Sequence, residues 1–487
     1  MKRAGPQVRR HDLLITPDKS RVLLRPFVPG NAERMKGIFR RIVQLREDEA
    51  QESLEKVLLE FRDRHRDLEG FLQQRFDQVR SFLPSKKKPS AVKRLLVGSF
   101  SACEYSLEAA ALFNPSIVPH PDQGGVGPGS LRFIMSLRAT GEGHISSIEF
   151  RTGVIHEHGQ VSVDPPGRFV AAATVSPDPL YNKTEFTSKV RDEECLSAPI
   201  KEILRSLPET FKRSELRSRI RRFRVKHPRL QRLQSRSLEY AEALTELNYE
   251  IDFPSSVPLS ERVVFPASSY ESNGIEDARF VRHIDDDGRV TYYATYTAYN
   301  GKAIMPLLLE TTDFAHFQIR SLSGRASRNK GMALFPRKIG GKYGMISRHD
   351  GENLFIALSD NVYSWDKPIN LLKPSYPWEL TQIGNCGSPL ETERGWILLT
   401  HGVGPLRKYC IGAAFLDRDN PTKVIGRLRE PLILPHESER EGYVPNVVYT
   451  CGAIIHNQWL IIPYAMSDTA TRIASVAVDE LLDGMEY

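Results

Sequence analysis

The chain has 487 residues, of which 40% are hydrophobic and 26% are charged, and its formal net charge is +7 at pH 7. This length allows two to four domains of roughly 150 residues each, or one large all-β body with additions. The five cysteines include no C-x-x-C pair, and no run approaches the roughly 20 apolar residues of a membrane-spanning helix. These features argue against a disulfide framework, a zinc site and a membrane anchor. We expect a soluble, cytoplasmic protein without a bound metal.

Residues 1–90 predict an N-terminal extension made of strands and helices. Two short strands are expected in residues 10–28, on either side of Pro17-Asp18. In residues 31–83 apolar side chains recur at helical spacing, and the charged remainder is typical of solvated helix surface. Residues 84–90, with the sequence PSKKKPS, have the composition of a linker. The N-terminus is basic but has no apolar segment of the kind found in secretory leaders.

Beyond the linker, apolar and polar residues alternate, as they do in β-strands. One pattern of two strands joined by a turn recurs five times. Each copy has an aromatic or apolar strand that ends in polar residues, a short turn, and a second strand rich in small and apolar residues. The five copies are residues 131–149, 290–310, 342–359, 395–417 and 458–479. From the second copy onward they recur about every 50 to 60 residues, near the length of a four-stranded propeller blade. We therefore predict a mainly β protein with a five-bladed β-propeller, although a twisted open sandwich would carry the same strands.

The repeat spacing assigns residues 91–181 to the first blade region and residues 248–487 to the remaining blades. Residues 182–247, which lie between them, predict a basic helical insertion between the first and second blades. Much of the excess positive charge lies in residues 201–236, and such a patch would attract nucleic acid or an anionic surface. An amphipathic helix pair explains this segment better. Its apolar residues at helical spacing are Ile203, Leu204, Leu207, Phe211, Leu216, Ile220 and Phe223.

Two expectations about partners follow from the helical interpretation. Nucleic acid is not an expected partner, because no recognisable nucleic-acid-binding motif accompanies the positive charge. The inserted and N-terminal helices are expected to pack on the outside of the propeller or to form the interface of a homo-oligomer.

A short charged segment, residues 272–279, lies between two strand-like runs and predicts a site. Glu276 and Asp277 are adjacent carboxylates, and Arg279 follows two positions later. Ionisable groups this dense on a loop usually belong to a site, but the preceding Asn-Gly pair is a turn signal, so a solvated turn is the alternative. Polar residues at the matching point of each repeat support the site. They are Arg138, Tyr299, Arg348 with His349, His401 and Asp468.

Eight segments resemble, in order, motifs of glycoside hydrolase family 130, whose members are β-mannoside phosphorylases and β-mannosidases with a five-bladed propeller. The segments are Ala111–Ile117, Ser136–Ala139, Gly274–Arg279, Asn329–Pro336, Gly384–Pro389, Leu399–Val403, Pro445–Gly452 and Tyr464–Asp468. The resemblance covers residues 98–175 and 246–487, so the long N-terminal helices and the insertion set this chain apart from compact members.

For the reaction, the resemblance implies that Asp277 is the general acid, at the aspartate of the family's Gly-Ile-Glu-Asp-Pro-Arg motif. In the family's phosphorylases inorganic phosphate is the co-substrate and no other cofactor takes part. Phosphate attacks C1 of a β-mannoside, and inversion gives α-mannose 1-phosphate. One carboxylic acid suffices because phosphate is already an anionic nucleophile, unlike the water used by inverting glycosidases. Ala278 replaces the family's proline, which leaves the segment less rigid.

The resemblance also implies which residues bind the substrates. Phosphate requires cations that hold its charge and aim it. The implied phosphate-binding residues are Lys330, Arg348 and His349, with Arg279 and Arg328 close in sequence. The residues implied to contact the mannoside are Asn114, Arg138, Glu276, His401, Tyr449, Tyr464 and Asp468. The expected partners are therefore a small oligosaccharide and phosphate.

Two other functions fit the sequence. A β-mannosidase on the same fold would use water instead of phosphate, with a carboxylate such as Glu276 as the base. A non-catalytic propeller that binds carbohydrate or nucleic acid would use the basic insertion and would not depend on Asp277.

Overall fold

A computed structural model of the chain describes residues 5–84, 89–176, 178, 180–230 and 232–487. Four residues of the predicted linker, 85–88, and the first four residues of the chain lie outside this part. The helices of the described part are α1 (Ala32–Gln44), α2 (Glu47–Phe61), α3 (Leu68–Val79), α4 (Ala91–Ser99), α5 (Lys183–Asp192), α6 (Ala198–Ser206), α7 (Arg213–Lys226), α8 (Arg232–Leu244) and α9 (Val478–Asp483). None of these helices is both long and apolar enough to cross a membrane.

The strands of the described part are numbered in chain order. They are β1 (Arg9–Ile15), β2 (Val22–Pro26), β3 (Ala102–Ser106), β4 (Ala111–Pro119), β5 (Leu131–Thr140), β6 (Ser146–Ile155), β7 (Val161–Val163), β8 (Ala171–Ala172), β9 (Thr174–Ser176), β10 (Leu180–Asn182), β11 (Thr210–Lys212), β12 (Tyr249–Asp252), β13 (Arg262–Val264), β14 (Ile275–Ile284), β15 (Val290–Tyr299), β16 (Ile304–Thr311), β17 (His316–Ser321), β18 (Ala333–Leu334), β19 (Tyr343–Ser347), β20 (Leu354–Ser359), β21 (Ile369–Leu372), β22 (Gln382–Asn385), β23 (Leu390–Thr392), β24 (Gly395–Val403), β25 (Tyr409–Leu416), β26 (Val424–Arg427), β27 (Val448–Tyr449), β28 (Ile454–His456), β29 (Trp459–Met466) and β30 (Ala470–Ala477).

Most strands belong to five sheets, so the fold is mainly β. Sheet 1 has the order β4-β5-β6-β13-β8, with β7 beside β6, and sheet 2 has the order β14-β15-β16-β17-β12-β9. Sheet 3 is β18-β19-β20-β21, and sheet 4 is β22-β24-β25-β26, with β23 beside β24. Sheet 5 is β27-β29-β30-β1, with β28 beside β29. The pairs β2-β3 and β10-β11 form two small additional sheets.

Each of the five predicted sequence repeats forms one antiparallel hairpin, and each hairpin lies in a different sheet. The hairpins are β5-β6, β15-β16, β19-β20, β24-β25 and β29-β30. Most residues of these strands are buried, because other elements cover both sides of the sheets. Every residue of β24, for example, is buried. The alternating pattern therefore predicted the hairpins correctly.

Each sheet contacts the next one along the chain. β4 lies against β14, β14 and β15 lie against β18, β19 and β20 lie against β22, and β25 lies against β27. Sheet 5 in turn contacts sheet 1, because β29 and β30 lie against β4. The two predicted N-terminal strands are both present, but they join different sheets: β1 pairs with β30, whereas β2 pairs with β3. The beginning of the chain thus completes the last sheet.

The helices of the N-terminal extension surround an apolar cluster of their own. Phe39 of α1, Leu54 of α2, Phe76 of α3 and Leu96 of α4 are buried in it. Because α4 shares this cluster, the helical part continues to Ser99, past the boundary predicted at residue 90.

The helices α5 to α8 lie in the segment predicted to be a helical insertion. All seven apolar residues that predicted amphipathic helices are buried, and they share one cluster with strands of sheets 1 and 2. Five of the seven lie in α6 and α7, whereas Leu207 follows α6 and Phe211 lies in β11.

A buried network of four charged side chains fastens the N-terminal extension to sheet 1. Arg21 lies 2.8 Å from Glu108 and 2.7 Å from Glu149, and Arg151 lies 2.9 Å from Glu108 and 3.4 Å from Glu149. No member of the network has a side chain more than 4% exposed. Burial and the charge of Glu149 raise the pKa of Glu108 to about 8, whereas the two arginines outweigh burial and lower the pKa of Glu149. Removing Glu149 therefore leaves two buried arginines without their main compensating charge.

We expect the Glu149→Gln variant to lose about 3 kcal/mol of the free energy of unfolding, because Arg21 and Arg151 would then share a single carboxylate. Urea denaturation followed by circular dichroism measures this loss. The matched control is Glu33→Gln, which removes a solvent-exposed partner of Lys36 on α1 and is expected to leave the midpoint unchanged. Equal midpoints for wild type and Glu149→Gln would contradict the role assigned to the network.

Candidate active site

One cavity of about 130 Å³ collects ionisable side chains from all five sheets. Its lining residues are Asn114, Arg138, Asp277, Arg279, Lys330, Arg348, His401, Arg407, Tyr409, Val444, Val447, Tyr449 and Asp468. Sheet 1 supplies the first two, sheet 2 the next two, and sheet 3 the loop and strand end that carry Lys330 and Arg348. The remaining residues lie in sheets 4 and 5 or in their connections. Residues distant in sequence thus meet at one place.

A larger cleft of about 920 Å³ lies between the inserted helices and sheet 3. None of its ionisable lining residues is buried, so their charges are screened by solvent. The smaller cavity holds Arg279, Arg348 and His401 in buried positions, where charges interact strongly. We therefore treat the smaller cavity as the candidate active site.

The backbone is left-handed at several residues of the cavity. The φ angles are +48° at Asn114, +55° at Asp277 and +50° at Asp468. Non-glycine residues adopt this region at a cost of about 1–3 kcal/mol each, and they cluster at functional sites. The pairing registers of β4 and β14 shift at Asn114 and Asp277, respectively, and such bulges redirect side chains. The charged segment predicted to be a loop is therefore, in part, the bulged beginning of strand β14.

Asp277 is held by two donors from sheet 1. Its Oδ1 atom accepts hydrogen bonds from Asn114 Nδ2 at 2.7 Å and from Arg138 Nη1 at 3.2 Å. Arg138 also donates from Nη2 to Glu276 Oε1 at 2.8 Å, and Lys330 Nζ lies 3.9 Å from Glu276 Oε2. Glu276 is not among the residues that line the cavity. It partly compensates two cations beside it.

The two carboxylates of the cavity have different acidities. Burial acts to raise the pKa of Asp277, but the positive charges of neighbouring arginines and of Lys330 outweigh burial and lower it below its ordinary value. Burial and the charge of Asp277 raise the pKa of Asp468 to about 6. The acidity of Asp277 therefore depends on the cations beside it, and a negatively charged ligand that compensates them would raise its pKa.

Two other arginines of the cavity are held by neutral partners. Arg348 Nη1 donates to His401 Nε2 at 3.1 Å, and because arginine is always the donor, the proton of His401 lies on Nδ1, 3.3 Å from Asn385 O. Burial, together with the charges of Arg348 and Arg279, holds the pKa of His401 well below its ordinary value. Arg279 Nη2 donates to the hydroxyl of Tyr449. Neither partner cancels the positive charge.

Donor atoms and space for an anion occur together here. The Nε atoms of Arg279 and Arg348 are buried and have no hydrogen-bond partner among the described residues. A Cβ atom built on Gly331 would lie 3.9 Å from Arg279 Nη2 and from Arg348 Nε, so the backbone beside Lys330 passes close to both arginines. Buried donors of this kind usually have a partner, and an oxyanion would provide one.

Besides Glu276, three residues predicted for the site lie outside the cavity. The ring of His349 packs on Phe355, with centroids 4.1 Å apart. Arg348 and His349 follow the end of β19 at Ser347, and of the two only Arg348 lines the cavity. Arg328 is exposed and donates to Asp192 O at 3.3 Å. Tyr464 lies in the core, where its hydroxyl donates to Glu439 Oε1 at 2.6 Å.

Four lining residues were missed by sequence reasoning: Arg407, Tyr409, Val444 and Val447. Arg407 follows Leu406 in a turn between β24 and β25, and both residues have left-handed backbone, with φ of +57° and +55°. The available signal was position in the repeat. Arg407 lies in the turn between the two strands of its hairpin, β24 and β25, as Asp468 does in the turn between β29 and β30. The two valines carried no chemical signal.

The cavity defines a class of site in which a carboxylic acid stands beside cations suited to an anion, on a mainly β scaffold. In such a site a bound anion would compensate the cations and raise the pKa of the carboxyl group beside them. Residues 244–487 match the sequence model of glycoside hydrolase family 130, which is described as β-1,4-mannooligosaccharide phosphorylase. The chain belongs to this family, and the resemblance seen in its motifs is confirmed.

Several characterised relatives are similar to this chain. A 1,2-β-oligomannan phosphorylase of Thermoanaerobacter sp. is 32% identical over 249 residues, which are 50% of this chain and 82% of the relative. A β-1,2-mannobiose phosphorylase of Listeria innocua is 31% identical over 46% of this chain and 63% of the relative. The solved structure of a Listeria innocua β-1,2-mannobiose phosphorylase, in complex with β-1,2-mannobiose, aligns with a TM-score of 0.47 and 22% identity, over 78% of this chain and 92% of that chain.

The geometry predicts that a divalent oxyanion such as sulfate binds in the cavity and that Arg348 contributes to its binding. We expect Arg348→Ala to weaken sulfate binding about 10- to 100-fold, the size of one to two lost charge-assisted hydrogen bonds. Isothermal titration calorimetry measures the affinity, and thermal unfolding checks that the variant is folded. Arg394→Ala is the matched control, because it removes the same charge at an exposed position between β23 and β24. Equal losses for both variants would contradict the site.

Proposed function

We propose that this protein is an inverting phosphorylase that cleaves β-mannosides or short β-manno-oligosaccharides with inorganic phosphate and releases α-mannose 1-phosphate. The relatives named above are phosphorylases of β-linked mannose compounds, and a Ruminococcus albus β-1,4-mannooligosaccharide phosphorylase is 34% identical over 167 residues. The proposal leaves the linkage unassigned, because these relatives act on both β-1,2 and β-1,4 compounds.

The observation that carries the proposal is the excess of positive charge in the cavity. The lining includes the cations Arg138, Arg279, Lys330, Arg348 and Arg407 and the carboxylates Asp277 and Asp468. Glu276 compensates part of this excess from beside the cavity. A water nucleophile is neutral and gains nothing from the remaining charge, whereas a phosphate dianion is held and oriented by it. Phosphorolysis therefore uses what the site provides.

In the proposed reaction Asp277 is the general acid. Its proton reaches the glycosidic oxygen through a hydroxyl of the bound mannose, while a phosphate oxygen attacks C1 from the opposite face. The bond from C1 to the leaving oxygen breaks, a bond from C1 to phosphate forms, and the configuration inverts. Lys330, Arg348 and Arg279 hold the phosphate, and Asn114 and Arg138 orient Asp277.

The remaining proposed roles divide between orientation and sugar binding. His401 and Tyr449 keep the two buried arginines in place without cancelling their charge, and Glu276 positions Arg138. Asp468 is proposed to accept hydrogen bonds from sugar hydroxyls, since it lines the same cavity as Asp277. His349, Arg328 and Tyr464 receive no role in the reaction, because their side chains point elsewhere.

We also propose that the five sheets are the blades of a five-bladed propeller, with a helical extension before them and the segment 182–247 inserted between the first two. The cyclic order of contacts from sheet 1 to sheet 5 and back to sheet 1 supports this arrangement. A ring of blades brings the first strand of every blade to the centre, which explains why distant residues share one cavity. The cytoplasmic location and the homo-oligomer expected from the sequence stay predictions.

A β-mannosidase is the second candidate, and Asp468 is the observation that favours it. Its carboxylate lines the same cavity as Asp277, and a pKa of about 6 suits a group that activates water near neutral pH. In this alternative the paired carboxylates would act as acid and base.

Product analysis with and without phosphate separates these candidates. We expect β-1,2- or β-1,4-mannobiose to yield mannose 1-phosphate only when phosphate is present, and we expect Asp277→Asn to lower the rate by about 10²- to 10⁴-fold, the usual contribution of general acid catalysis. The control is Asp360→Asn, an exposed aspartate that pairs with Lys342. Free mannose formed at equal rates in both reactions would reject phosphorolysis.

Phosphate binding is also expected to protonate Asp277. The cations that lower the pKa of Asp277 would be compensated by phosphate, so its pKa should rise and a proton should be taken up. Calorimetry in buffers of different ionisation enthalpy, across the acidic range, measures this uptake. Asp277→Asn provides the control, because it retains the ionisation of phosphate itself but lacks that of Asp277. Equal proton uptake by both proteins would contradict the coupling.

A further inference from the structure

The loop that carries Lys330, residues 322–332, connects β17 to β18 and is attached to sheet 3 along one side. Ser323 N donates to Tyr363 O at 2.9 Å, and Trp365 N donates back to Ser323 O at 2.8 Å. Ala326 N donates to Trp365 O at 2.8 Å. These bonds fix the first half of the loop, before the chain reaches Lys330.

The inserted helices hold the same loop from the other side through Asp192, the last residue of α5. Its Oδ2 atom accepts a hydrogen bond from Gly324 N at 2.7 Å, and its backbone oxygen accepts one from Arg328 Nη2 at 3.3 Å. Gly324 has a φ of +96°, and a Cβ atom there would lie 2.3 Å from Trp365 O. The loop therefore passes through a narrow space between Trp365 and Asp192.

A cavity adjoins the contact between Asp192 and the loop 322–332. A cavity of about 270 Å³ separates residues 189–194 of the insertion from the loop residues 323–329. Packed apolar contacts do not fill this space, so hydrogen bonds carry much of the attachment. Two hydrogen bonds to Asp192, one of them accepted by its side chain, thus attach the insertion to the loop beside this cavity.

The insertion itself is anchored to the protein body. Phe186 and Val190 of α5 are buried in the cluster shared with sheets 1 and 2, and Glu185 accepts a hydrogen bond from Asn361 Nδ2 at 3.1 Å. A rigid helix end is thus presented to the loop. The helix lies before residue 244, where the family match begins.

We propose that Asp192 is a positioning residue for phosphate binding: it holds the loop 322–332 so that Lys330 faces the cavity beside Arg279 and Arg348. This inference rests on the proposed function, since it takes Lys330 as a phosphate ligand. Asp192 does not touch the reacting atoms. Its effect reaches phosphate through the backbone from Gly324 to Lys330. The neighbours of Lys330, Asn329 and Gly331, have left-handed φ angles of +66° and +93°, so this part of the loop needs external support.

Steady-state kinetics of Asp192→Ala and Asp192→Asn test the proposal. We expect Asp192→Ala to raise the KM for phosphate on the order of 10-fold, because a misplaced ligand loses much of its effect, while kcat and the KM for the mannoside change less than about 2-fold. Asp192→Asn should show a smaller rise, since its amide oxygen still accepts from Gly324 but carries no charge. Amide hydrogen exchange of residues 322–332 should be faster in both variants.

The matched control is Asp178→Ala. Asp178 precedes the insertion and accepts hydrogen bonds from Ser214, which lies in it. The control variant is expected to leave the KM for phosphate and the exchange of the loop unchanged. The proposal would be overturned if Asp192→Ala had the same KM for phosphate as Asp178→Ala. It would also be overturned if amide hydrogen exchange of residues 322–332 were the same in Asp192→Ala as in wild type. If Asp192→Ala does not fold, Asp192→Asn decides by the same two measurements.

The test also separates this inference from the proposed function. Wild-type protein that neither binds phosphate in calorimetry nor forms mannose 1-phosphate would refute the phosphorylase itself. Wild-type phosphorolysis with an unchanged phosphate KM in both Asp192 variants would refute the positioning role alone. A rise in the KM for the mannoside equal to that for phosphate would also refute it, because a general loss of site geometry would then explain the result.

Discussion

The structure depends on one electrostatic constraint, which is that several cations share a small, partly buried cavity. Like charges in such a place repel strongly, so the protein must compensate some of them and leave the others available. Glu276 and Asp277 accept hydrogen bonds from Arg138, whereas the partners of Arg348 and Arg279 are a neutral histidine and a tyrosine. Compensation is therefore uneven. The neutral partners of Arg348 and Arg279 do not cancel the positive charges of these arginines, which are available to an anionic ligand. The low pKa of Asp277 is a consequence of the same arrangement.

Backbone geometry places these charges, and the sheets stabilise that geometry. Asn114, Asp277 and Asp468 all adopt left-handed conformations, which unsupported chain would rarely occupy. Each lies within a strand or in a tight connection between two strands. Because both faces of the sheets are packed against apolar neighbours, relaxation of one bulge would disturb a large buried area. Rigid sheets therefore make a strained but accurately placed site possible.

The helical additions enlarge the family's architecture without entering its site. The N-terminal helices form their own cluster and are joined to sheet 1 through the buried network of Arg21 and Arg151. The insertion instead approaches the loop before β18, where Asp192 meets Gly324. A segment outside the family match thus contacts an element that carries a proposed phosphate ligand. In the positioning role proposed for Asp192, phosphate affinity would depend on a contact that lies outside the cavity.

The sequence by itself determined the five hairpins, the amphipathic helices of the insertion and the family, because alternating and helical periodicity and short motifs are local properties of the chain. It also identified nine of the residues that line the cavity, among them Asp277, Arg279 and Asp468. Only the tertiary structure decided that Arg348 faces the cavity while His349 faces away, that Arg407 belongs to its rim, and that β1 joins β30. The physical reason is that Arg348, His349 and Arg407 lie beyond strand ends, where the direction of a side chain depends on a local backbone conformation that packing with distant segments determines. Contacts between distant segments, such as that of Asp192 with Gly324, arise only when the packed sheets and helices bring them together.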